Sequence, residues 1–233
     1  MRRGFAAVLA CVLGVTMLAV GGSASALSMA HVGAKDNRGF PTFYMDEAGR
    51  ALQMCDDGSA FCQGVKPGAL TPPEGEAFYW VALTPLKTPR GTLEVEMALE
   101  AAFVRQRPIV FYRIRVRGHL SKRGNYVLRH PFGSIPIRAI TPAEQRNVNF
   151  TRDVPCSQVN GGVCAPRMSR WLTSTTRAKG YLGTRRRTPV TGGTFRNSVE
   201  LFARDSHKVI GVSKQFRIVG KVCGPPCRAR NRK

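Results

Sequence analysis

The chain has 233 residues, 43% of them hydrophobic, with 36 Lys and Arg against 14 Asp and Glu, for a formal net charge of +22. Only the N-terminal segment is apolar enough to approach a membrane span, and there is neither an internal repeat nor a long amphipathic helix. This argues against a multi-span helical membrane protein, a solenoid and a helical bundle. So large a positive excess points to an anionic partner, or to an acidic part of the chain lying against a basic part.

In chain order, Arg2 and Arg3 precede an uncharged apolar run over residues 5–20, and Ala24-Ser25-Ala26 then offers a small-x-small cleavage pattern. This reads as a signal peptide over residues 1–26 and predicts a secreted or cell-surface protein. A membrane anchor fits less well, because the cleavage pattern follows the run. A lipoprotein site at Cys11 also fits less well, because the apolar run continues past it. Residues 27–222 are expected to form a single domain with a long loop region at about 153–198, followed by a basic tail over 223–233.

Strand patterns recur at residues 40–45, 51–55, 77–84, 92–103, 109–117, 125–129, 135–140, 199–204, 208–212 and 215–222, with Gly, Pro and Asp between them. Residues 141–146 predict a helical turn capped by Thr141. The predicted fold class is all-β, an antiparallel β-sandwich with long disulfide-pinned loops. In "EAFYWVAL" (76–83), simple alternation puts Phe78 and Trp80 on a core face and Tyr79 on the other.

Six cysteines remain after the leader: Cys55, Cys62, Cys156, Cys164, Cys223 and Cys227. An even count in an exported chain favours disulfides. Fifteen connectivities exist, of which pairing between neighbours in sequence is the simplest. No spacing matches the tight zinc knuckle. Loops this small add about 2–3 kcal/mol each and fix local shape more than the fold.

Charge is divided along the chain. Residues 27–100 hold ten acids and six bases, whereas residues 101–233 hold four acids and 28 bases. In "FYRIRVR" (111–117), Arg113, Arg115 and Arg117 alternate with apolar residues. The preceding stretch places Glu94, Glu96 and Glu100 on one face. A hairpin turning near residues 105–108 brings the two rows together, with Glu100 opposite Arg113 and Glu96 opposite Arg117 in one register, so the arginines read as half of an internal charge ladder. The anion-binding candidates then fall on loops: Arg185, Arg186 and Arg187 in "TRRRT", Lys122 and Arg123 in "SKRG", and Arg228 and Arg230 in the tail. Loop arginines reach phosphate, sulfate or carboxylate in a bidentate manner. These loops lack the interleaved aromatics that stack on bases, which disfavours selective nucleic-acid recognition.

No nucleophile elbow is present, and no catalytic residue is assigned. His130, before Pro131, reads as a loop histidine. Asp46-Glu47 and Asp56-Asp57 read as solvated turns rather than a calcium site, and no metal or cofactor is expected. Asn149-Phe150-Thr151 is a glycosylation sequon.

The phrases "GFPTFYMDEAGRALQMC" (39–55), "EAFYWVAL" (76–83), "ALEAAF" (98–103), "VFYRIRVRG" (110–118), "YVLRHPFG" (126–133), "NFTRDVPC" (149–156), "GYLG" (180–183) and "PVTGGTF" (189–195) resemble an uncharacterised family of secreted bacterial proteins. The resemblance spans most of the mature chain and implies an all-β extracellular fold, with no activity to carry over. "TRRRT" and the "CGPPCRARNRK" end are more basic than the family pattern. The expected function is that of a non-catalytic secreted or surface protein. Its basic loops either adhere to an acidic polysaccharide, an anionic envelope surface or another polyanion, or carry charge that only keeps the chain soluble. A secreted hydrolase acting on a glycan or peptide and a structural envelope module are the alternatives.

Overall fold

The computed structural model describes residues 31–66, 68–156, 170–224 and 227. The expected leader, Cys164, Arg228 and Arg230 lie outside them. The first strands are β1 (His31–Val32), β2 (Tyr44–Met45), β3 (Ala51–Gln53), β4 (Glu76–Thr88), β5 (Gly91–Val104) and β6 (Arg107–Gly118). Then come β7 (Gly124–His130), β8 (Gly133–Ala139), helix α1 (Pro142–Arg146) and β9 (Val148–Pro155). The remaining strands are β10 (Thr173–Ser174), β11 (Thr188–Thr191), β12 (Val199–Ala203), β13 (Lys208–Ser213), β14 (Gln215–Val219) and β15 (Lys221–Val222).

The fold is an all-β sandwich of antiparallel sheets. Seven strands run in the order β10-β11-β14-β4-β5-β6-β9, and a four-stranded sheet β13-β12-β7-β8 packs against them. A small sheet, β1-β2-β3-β15, contacts the large sheet where β3 meets β4. The alternation in β5 decides which face goes inward: Leu93, Val95, Met97 and Leu99 are fully buried. They share one core with Ile114 and Val116 of β6 and with Tyr126, Leu128, Ile135 and Leu201 of the facing sheet. Burying such a side chain contributes roughly 1.5–3 kcal/mol, so a one-residue slip that turned this row outward would be costly.

The β5–β6 hairpin turns on two residues, Arg105 and Gln106, both with positive φ (49° and 66°). That is the tight turn that matches strand twist. It also corrects the expected register by two residues. Glu96 faces Arg115, Glu94 faces Arg117, and Arg113 faces Ala98. A two-residue shift preserves the face, so the ladder survives with different partners. Arg113 bonds diagonally to Glu100 at 2.9 Å and pairs through two hydrogen bonds with Asp153 of β9 at 2.7 and 2.9 Å.

Three further expectations are corrected. Phe78 pairs with Glu100 and Trp80 with Leu99, leaving Tyr79 as the extra residue of a β-bulge. Tyr79 and Trp80 therefore both enter the main core, while Phe78 packs on the opposite face beside Cys55, Val81 and Val219. Residues 153–198 are not simply a loop. β9 reaches Pro155, and β10 and β11 extend the large sheet, with Thr188 opposite Phe216. His130 is not a loop histidine but the last residue of β7, 3% exposed, with Nδ1 accepting the Phe132 N–H. The expected capped turn does form: Thr141 and Glu144 make a reciprocal capping box at the start of α1.

Candidate functional site

Two glycine-dependent contacts build the site around "TRRRT". The Ala178 N–H bonds to the Gly183 carbonyl at 3.0 Å and the Tyr181 N–H to the Ala178 carbonyl at 3.1 Å, closing a tight turn through Gly180 at φ 82°. Gly183 itself lies flat on β14, where an added Cβ would fall 2.1 Å from the Ile218 carbonyl oxygen. Closing this turn brings residue 177 beside residue 184. A few residues away, the Thr175 N–H bonds to the Pro189 carbonyl at 2.9 Å, so the two stretches run side by side.

Between them lies a groove of about 470 Å³ lined by Phe61, Arg177, Ala178, residues 184–188 and Thr176. Four guanidinium groups, those of Arg177, Arg185, Arg186 and Arg187, border it, and all four residues are exposed. Among the described residues, none of the four makes an ion pair, and no carboxylate lines the groove. Thr184 fixes the loop by accepting the Arg186 N–H at 3.1 Å. The Thr188 Oγ1 is buried without a hydrogen-bond partner.

One wall comes from elsewhere in the chain. Cys55 and Cys62 form a disulfide with a Cα–Cα distance of 5.1 Å, and the 3₁₀ turn Ala60–Cys62 carries Phe61 to the groove. Phe61 stacks on Tyr181 with centroids 4.8 Å apart at 30°. Tyr181 donates its hydroxyl to Asp57 at 2.6 Å, and Lys221 pairs with the same carboxylate at 3.1 Å. Burial alone would raise the Asp57 carboxyl, but the hydrogen bonds from Tyr181, Ser59 and Lys221 outweigh it and hold it well below the ordinary range.

Of the residues singled out in the sequence, Arg185, Arg186 and Arg187 thus share one groove. Lys122 and Arg123 do not line it; their segment is held at the β4–β5 turn, where the Ser121 N–H bonds to the Arg90 carbonyl. Arg228 and Arg230 lie outside the described residues. Sequence reading missed Arg177 and Phe61. The glycines at 180 and 183 were the available signal for Arg177, whereas nothing local tied Phe61 to the arginines. Cys223 and Cys227 form the second disulfide, with Cα atoms 5.7 Å apart, and Cys156 is disulfide-bonded as well.

A different kind of cavity lies at the far end of the β5–β6 hairpin. It measures about 640 Å³, with an apolar floor that includes Phe103, Ile109 and Phe111 and with Glu74, Glu76, Asp153 and Arg113 among its polar lining. Glu100 lies beside Arg113, and burial pushes its carboxyl up to about 7 against the pull of Arg113. Of the turn acids, Asp46 departs from the solvated reading. Asp46 is buried and accepts N–H groups from Arg50 (2.8 Å) and Trp171 (3.1 Å), and no group of metal-ligating side chains occurs among the described residues. No helix among the described residues is long and apolar enough to cross a membrane. Comparison with family models, with curated proteins and with solved structures finds no match.

Proposed function

We propose that the protein is exported and binds an anionic polymer, such as an acidic polysaccharide at an envelope surface, through the arginine groove. One observation carries this reading: Arg177, Arg185, Arg186 and Arg187 border a single groove with no carboxylate among its lining residues. An unpaired guanidinium cluster repels itself and gains by sharing bidentate anionic groups. The leader pattern and the paired cysteines support export to an oxidising compartment.

Retention on immobilised heparin across a salt gradient tests the proposal. Wild type should be retained and should elute as salt rises, and the triple Ala variant of Arg185, Arg186 and Arg187 should elute at lower salt. Arg177→Ala should weaken binding about as much as any one of the three, by about 0.5–1 kcal/mol at low salt. Arg123→Ala should change it less. If wild type and the triple variant both flow through at low salt, the reading fails.

A second reading, a hydrolase, draws on the carboxylate-lined cavity and the raised Glu100. Glu100 is absent from the cavity lining and is bonded to Arg113, so its access to a substrate is poor. Turnover of a glycan or peptide that is lost in Glu76→Gln and Asp153→Asn would favour this reading over adhesion.

A further inference from the structure

We infer that Phe61 makes the groove selective for anions carried on sugar rings, so that its ligand is an acidic polysaccharide rather than any chain of negative charge. This rests on the reading that the arginine groove binds an anionic polymer, and adds what the polymer must carry beside its charge. Phe61 is half-buried, lines the groove, and has one ring face covered by Tyr181. A ring edge or second face at an arginine-lined groove offers the apolar patch against which the C–H face of a sugar packs.

The platform is held from three sides. The Cys55–Cys62 disulfide fixes the backbone next to Phe61, Tyr181 backs the ring, and Asp57 with Lys221 fixes Tyr181. Holding a contact residue in place before binding lowers the ordering cost of the complex. The exposed Thr176 also lines the groove and carries a hydroxyl. Sugar hydroxyls can both donate to and accept from such a group. A single-stranded nucleic acid would call for a succession of aromatic platforms, and among the described residues Phe61 is the one aromatic side chain that lines the groove.

The test compares three probes at fixed salt: heparin, linear polyphosphate (charge without rings) and a single-stranded oligonucleotide. Phe61→Ala should weaken heparin binding roughly threefold to tenfold and leave polyphosphate binding within about twofold. Phe61→Leu, which keeps bulk without the aromatic face, guards against loss of folding and should weaken heparin in the same direction; Phe61→Trp should restore it. Equal loss on heparin and polyphosphate, or loss on neither, overturns the stacking role while leaving the arginine groove standing. A wild type that binds neither heparin nor polyphosphate overturns the groove reading itself. Tightest binding to the oligonucleotide, with the Phe61→Ala loss found there, overturns the polysaccharide assignment.

Discussion

At the scale of single residues, two buried titratable groups respond to pH with opposite signs. The Glu100 side chain is 1% exposed, and burial pushes its carboxyl up to about 7 despite Arg113. The folded state therefore holds its proton more tightly than the unfolded chain does. Its contribution is fully present below the ordinary glutamate range and is lost as pH rises toward 7. His130 runs the other way. Burial, helped by Arg196 and Arg152, lowers its imidazole to about 4, and its Nδ1 must stay unprotonated to accept the Phe132 N–H. Its contribution is present above about 6.5 and is lost as pH falls through about 4. Melting temperatures measured from pH 4 to pH 8 should separate the two. Glu100→Gln should remove a decline between about pH 5 and pH 7, and His130→Asn should flatten the decline on the acid side even if packing loss lowers the whole curve. Unchanged slopes in both variants would show that neither group controls the profile.

At the scale of elements, the three arginines of "FYRIRVR" are unequal although they alternate on one strand. Arg113 is 13% exposed and joins Glu100 to Asp153, Arg115 sits 3.7 Å from Glu96, and Arg117 is exposed opposite Glu94. Removing one partner from a buried pair leaves the other charge uncompensated, at a cost of about 3–5 kcal/mol. Exposed cross-strand pairs contribute about 0.2–1 kcal/mol. Urea unfolding should therefore rank Arg113→Ala as the most damaging by about 3 kcal/mol, with Arg115→Ala next and Arg117→Ala near neutral. Glu96→Lys should lower stability by about 1 kcal/mol while leaving heparin retention almost unchanged, since it lies outside the groove. The face of each long strand was legible because Leu93, Val95, Met97 and Leu99 alternate with charge. The register was not, because it depends on whether two or four residues make the turn. β9 was missed because Arg152 interrupts its apolar row at an edge where water accepts either kind of side chain. The bulge at Tyr79 escaped for a related reason: one extra residue resets the alternation, and no glycine marks it.

At the scale of the whole molecule, the uneven charge division resolves only in part. Three ion pairs among the described residues join the acidic segment to the basic one: Arg113–Glu100, Arg115–Glu96 and Lys221–Asp57. Among the described residues, most of the arginines after residue 100 make no ion pair. The groove was legible to the extent that three consecutive arginines stood between Gly183 and Pro189. It became a site only when the Gly183 turn added Arg177 and a distant disulfide loop added Phe61, contacts that composition does not encode. If the surplus charge is held for a partner, the free protein bears the repulsion, and salt should act on it in two opposite ways. Raising NaCl from about 0.01 M to about 0.5 M shortens the screening length from about 30 Å to less than about 10 Å. Self-repulsion then weakens, so the melting temperature should rise by a few degrees, while heparin affinity falls steeply over the same range. A melting temperature that falls with salt would mean that the ion pairs outweigh the repulsion, and the excess of arginine would then need no anionic partner to account for it.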